Sequence, residues 1–133
     1  MVAADTAAQT RSVEAAAMLY ELIEPYADQF IWNGGVGFGH ARTYSAMLAA
    51  TLGRHEHADA DFAFGYQFHH RHGLHVWRAR SELGWAEALI ERSELDRARE
   101  HASRALELSR DHGHGAFEPR ATAIVASHAA IQP

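Results

Sequence analysis

The chain contains no cysteine and no lysine, and these two absences narrow its chemistry before any pattern is considered. Without thiols there is no disulfide framework, no thiolate zinc site and no cysteine nucleophile. Its twelve cations are all Arg, set against seventeen acids for a net charge of −5. That balance gives a phosphate backbone no positive footprint, so nucleic acid is not an expected partner. Proline is restricted to Pro25, Pro119 and Pro133, which leaves long stretches free to be helical. No apolar run approaches the length of a membrane span, and no membrane partner is expected. The opening residues Met1-Val2-Ala3-Ala4-Asp5-Thr6 lack the basic start and apolar core of a secretory signal, so a cytoplasmic location is the expectation.

What is present is an ordinary globular composition: 133 residues, 47% apolar and 22% charged, enough for one domain with one modest core. Apolar positions recur three or four apart almost throughout, which predicts an all-α fold. A first helix is expected from about Ser12, a candidate N-cap, to Phe30, kinked by Pro25. The Gly-rich stretch 33–39 reads as an interhelix turn. Further helices are expected over about His40–Leu52, Glu56–Arg71, Val76–Arg92, Glu94–Asp111 and Glu118–Ala130, with Gly53, Gly73 and Gly113 at left-handed C-terminal caps. The count is six helices and no strand. Residues 1–11 read as a flexible N-terminus and 12–131 as the single domain.

A shift of forty residues lays His72-Gly73 over His112-Gly113. In the same register Ala58 falls on Ala98, Phe62 on Ala102, Gly65 on Ala105, Phe68 on Leu108, and Ala46 on Ala86 and Ala126. Small residues recurring at a fixed period predict stacked antiparallel helix hairpins, a tetratricopeptide-like repeat array. A non-repeating Ala-rich bundle is the alternative. The phase orders the chain as an unpaired second-type helix, two complete pairs and an unpaired first-type helix. That last helix carries Ala121, Ala123, Ile124, Val125, Ala126, Ala129, Ala130 and Ile131, so self-association or docking through a terminal helix is expected unless the ends fold back on the stack.

Several segments resemble one bacterial family. They are Leu19-Tyr20-Glu21-Leu22-Ile23-Glu24-Pro25-Tyr26-Ala27-Asp28, Gly34-Gly35-Val36, Leu48-Ala49-Ala50-Thr51-Leu52-Gly53-Arg54, and Val76-Trp77-Arg78-Ala79-Arg80 followed by Ala86-Glu87-Ala88-Leu89. The resemblance is to the C-terminal tetratricopeptide-like region of large signal-transduction ATPases, the kind fused to cyclase or LuxR-type DNA-binding domains, and it covers about residues 13–125. It implies a regulatory or protein-interaction array whose nucleotide chemistry sits in other domains. The segment Phe62-Ala63-Phe64-Gly65-Tyr66-Gln67-Phe68-His69-His70 departs from the family's plainer helix.

The forty-residue phase also nominates a binding surface. First-type helices line the concave face of such arrays, and the phase aligns His40 with Arg80 and Arg120, Thr43 with Leu83, and Met47 with Glu87. Two guanidiniums in register suit a carboxylate or phosphate of a partner segment. The alternative is that they salt-bridge to neighbouring acids. Trp32, Trp77 and Trp85 are expected to pack internally.

No enzyme is expected. Ser45, Ser81 and Ser93 lack an elbow motif or a spacing that implies a His and Asp partner. The eleven His supply the pairs His55/Asp59, His57/Asp61 and His69/His72, but no zincin pattern and no third ligand, so neither metal nor cofactor is expected. A small-ligand pocket lined by Phe62, Phe64, Tyr66, Phe68 and Trp77 is the alternative function.

Overall fold

The computed structural model describes residues 1–129, which are mostly helical. Seven α-helices lie among them: α1 (Val2–Gln9), α2 (Val13–Ile23), α3 (Ala41–Thr51), α4 (His55–Arg71), α5 (His75–Glu91), α6 (Leu95–His112) and α7 (Glu118–Ala129). Helices α3 to α7 begin and end within one residue of the bounds read from periodicity. Ala130 and Ile131 of the expected terminal patch lie outside the described residues.

The N-terminal third differs from expectation in three ways. Residues 2–9 are not a loose lead but helix α1, which buries Ala4 and Ala7 against α2 and α3. Helix α2 therefore has a preceding partner and is not an unpaired second-type helix. It opens on Ser12, whose side chain accepts from the Ala15 amide as an N-cap, and ends at Ile23. Pro25 then sits in a single 3₁₀ turn, Glu24–Tyr26, in place of a kinked continuation to Phe30. The Gly-rich stretch is a two-stranded antiparallel hairpin, β1 (Phe30–Trp32) and β2 (Gly37–His40), with a bulge between Ile31 and Trp32. Aromatic and β-branched residues favour the first strand. The Asn33 side chain closes the turn by accepting from the Gly35 and Val36 amides, at 3.3 and 2.9 Å, with Gly34 left-handed at φ 86°.

One turn recurs along the chain. Helices α1, α3, α4, α5 and α6 each end at a left-handed residue: Arg11, Gly53, Gly73, Ser93 and Gly113. The amide after it returns to the carbonyl five residues back: Ser12 to Ala7, Arg54 to Ala49, Leu74 to His69, Glu94 to Leu89 and His114 to Ser109, at 2.7–3.0 Å. This is the six-to-one bond of a Schellman cap. From Gly53 onward it returns every twenty residues, so two turns make the forty-residue period.

Helix α3 packs on α4 and α5 on α6, while α3 also touches α5, and α5 touches α7. Several positions forty apart share their burial: Ala58 and Ala98, Phe62 and Ala102, and His69 and Ser109 are all buried. Ala46 and Ala86 are buried while Ala126, in the last described helix, is exposed.

Asp59 on α4 fastens three helices. Its Oδ1 accepts from Trp85 Nε1 and from Arg92 Nη1, both at 2.8 Å, and Arg97 lies 3.9 Å from Oδ2. Trp85 in turn stacks between Phe62 and His101, with centroids 5.9 and 4.2 Å away. Asp59→Ala removes a charge-assisted acceptor from an indole and a half-buried guanidinium, and a loss of about 1–2 kcal/mol is expected. Urea unfolding checks it, and an unchanged midpoint would reduce Asp59 to a surface contact.

Candidate functional site

Between α1, α3, α5 and α7 lies a groove of about 490 Å³. Its α5 wall is the stripe Arg80, Gly84, Glu87 and Glu91, spaced as one helix face, with Met47, Ala50 and Thr51 from α3, Asp5, Ala8 and Gln9 from α1, and Arg120 from α7. Small residues keep the backbones close, and the polar groups come as opposed pairs. Arg120 donates from Nε and Nη2 to the two oxygens of Glu87, at 2.8 and 2.7 Å. Arg11 meets Glu91 at 2.5 Å. Arg80, nearly fully buried, gives Nη2 to Asp5 and also reaches Met47 Sδ at 3.3 Å.

Of the groove residues expected from sequence, Met47, Arg80, Glu87 and Arg120 line the cavity, and His40, Thr43 and Leu83 do not. The reason for Leu83 is angular. Three residues beyond Arg80 the helix has turned the side chain toward Ala105 and Ala121, and Gly84, four residues on, takes the groove position. His40 stands at the end of β2, where the hairpin delays the start of α3, and its ring packs on Phe64 and Phe68 at 4.9 and 4.6 Å. Thr43 is drawn into a polar cluster beneath the surface. The two arginines do share the groove, but each is already held by an acid of the same chain. Asp5 was not foreseen as a groove residue. Its partner lies 75 residues away, a separation that no local pattern signals.

The buried cluster joins α3, α4, α5 and β2. His69 Nε2 accepts from the His40 amide at 2.9 Å, which fixes its proton on Nδ1. Nδ1 then donates to Ser81 Oγ at 3.1 Å, Thr43 Oγ1 lies 3.0 Å from the same oxygen, and Ser81 donates to the Trp77 carbonyl at 3.0 Å. Every group has a partner when His69 is neutral, and burial lowers its pKa to about 4. A Ser beside a His resembles half of a hydrolytic triad, but Ser81 is 0% and His69 1% exposed. Sealed from the surface, the cluster ties α3, α4, α5 and β2 to one another. On the neighbouring interface the buried Glu82 accepts from His101 Nδ1 at 2.5 Å and from Arg104 Nε at 3.0 Å.

The histidine pairs do not assemble a metal centre. Asp59 is taken by Trp85 and Arg92, Asp61 faces Arg42 at 3.4 Å, and both nitrogens of His69 are engaged. Among the described residues no three His, Asp or Glu are placed to hold an ion. None of the five aromatic residues of the alternative pocket lines the groove. Phe62 is in the core, Phe64 is 40% exposed, Tyr66 stacks on His70, Phe68 on Phe30, and Trp77 closes over Gly39. Trp32, expected inside, is 62% exposed. Of the terminal patch, Ile124 packs on the Leu83 cluster and Ala123 and Ala126 are exposed, while larger exposed apolar side chains sit on α2, at Val13, Met18 and Leu22.

No helix among the described residues is long and apolar enough to cross a membrane. Comparison with known protein families, with functionally characterised proteins and with solved structures returned no match.

Proposed function

We propose that this chain is a non-catalytic, tetratricopeptide-like interaction module that receives a segment of a partner protein in the groove between α1, α3, α5 and α7. The observation that carries the reading is the groove itself. It collects side chains of alternate helices on one face, at a volume typical of ligand clefts. The contacts of α3 with α5 and of α5 with α7, and the shared burial of positions forty apart, support a repeat stack. The bacterial signalling ATPases that the sequence resembles use such an array for regulation by protein contact, and that role is extended to this chain as part of the proposal.

Site-specific photo-crosslinking tests it. A photoreactive residue at Thr51, on the groove wall, is expected to give a discrete adduct in cell extract, and the same residue at the exposed Glu107 of α6 is expected to give none. Equal labelling from both positions would overturn the groove as the partner site.

A further inference from the structure

The ligand class of the groove is legible in Arg80, an assignment that rests on the groove being a partner site. Arg80 is 5% exposed, yet its guanidinium is only half answered. Nη2 donates to Asp5, while Nη1 is buried with no acceptor among the described residues. A buried donor without a partner is a standing cost, and a guanidinium fork is shaped to hold both oxygens of one carboxylate. The other groove arginines differ in this respect. Arg120 takes both oxygens of Glu87, and Arg11, which reaches Glu91, is largely exposed.

The acid on Arg80 is also carried on a lightly anchored element. Asp5 belongs to α1, an eight-residue helix whose buried side chains are two alanines, and its carboxylate keeps 33% exposure. The helix joins the rest of the chain through Arg11, a non-glycine residue at φ 54°. Beyond Arg80, the walls offer Ala8, Ala50 and Ala88 for a small aliphatic group, and with Arg120 and Arg11 already paired to Glu87 and Glu91, one guanidinium is left for one carboxylate.

We infer that the groove binds a carboxylate carried on a small aliphatic group, that both Nη donors of Arg80 hold it, and that Asp5 is the internal stand-in it displaces. A polypeptide C-terminus and a small free acid share this chemistry.

The test titrates wild-type protein, Asp5→Asn and Arg80→Met with three probes: Ala-Ala-Ala with a free C-terminus, its C-terminal amide, and propionate. The backbone amide of Gly84 is followed by NMR. Asp5→Asn keeps an acceptor for Nη2 but gives up the competing charge, so the tripeptide acid is expected to bind it about tenfold more tightly than wild type. The amide is expected to leave Gly84 unshifted, and Arg80→Met to abolish the response. A shift with propionate as well as the tripeptide supports the site and admits free acids, and a shift with the tripeptide alone supports it and assigns a peptide end. Binding of the amide as tight as the acid, or no gain in Asp5→Asn, would overturn the inference. The Asp5→Asn comparison decides even if Arg80→Met does not fold. Failure of these titrations with the Thr51 adduct intact would remove the carboxylate and leave the partner reading standing.

Discussion

Gly65→Ala is expected to destabilise the protein by roughly 2 kcal/mol or more, although alanine is the better helix former by about 1 kcal/mol. Gly65 lies in the middle of α4, and a Cβ there would stand 2.4 Å from Thr43 Oγ1 and 3.6 Å from Ser81 Oγ. The obstacle is a buried β-branched side chain whose hydroxyl is hydrogen-bonded to Ser81. To admit the methyl, α4 must move off α3, and the contacts of His69 with Ser81 and the His40 amide stretch with it. Thermal unfolding is expected to show a fall of about 6 °C for a chain of this size. The double variant Gly65→Ala/Thr43→Ala removes the obstructing atoms and is expected to recover part of the loss. A double variant no more stable than the sum of the singles would mean that the close approach is not the cause.

A second large effect is expected from acid. His69 releases its proton near pH 4 in the folded chain, held there chiefly by burial, against about 6.5 when unfolded. Between those values the unfolded chain binds the extra proton, so stability is full above pH 6.5 and declines as the pH falls toward 4. The ceiling of that loss is about 3 kcal/mol. Geometry agrees with the sign: a proton on Nε2 would face the His40 amide, donor against donor. His75, stacked on His112 at 3.7 Å, is also held below its ordinary value, first by desolvation and then by the neighbouring cations, and adds in the same direction. Urea midpoints of wild type and His69→Gln between pH 7 and pH 4.5 check this. Wild type is expected to lose more stability over that range, and parallel slopes would show that His69 does not govern it.

Helices α3 to α7 were readable because an apolar period of three to four runs through each of them, and at three of their four junctions a glycine with a left-handed backbone marks the turn as well. Where both signals are weak the reading fails. Arg11 performs the same turn as Gly53 without being glycine, so α1 and its junction with α2 pass for a tail. Ser93 makes the turn too, but strong periodicity on both sides keeps α5 and α6 apart. Glycines at 34, 35, 37 and 39 mask the strand-forming Phe30-Ile31-Trp32, and the hairpin looks like a loop. In the groove, the forty-residue phase found Arg80 and Arg120 but carried the stripe through Leu83, when the helix repeat passes through Gly84. The acids that answer the arginines come from other helices, and their distance along the chain hides them.

The recurring turn has a consequence for how the chain reaches this state. Each capped turn sets its two helices side by side using residues close in sequence, with little loop to close between them. The pair from Asp5 to Arg80 is different in kind, bridging 75 residues. Its geometry exists only after α1, α3 and α5 are all seated. The contact that seals the groove therefore depends on three helices at once, and local opening of α1 alone is enough to release it.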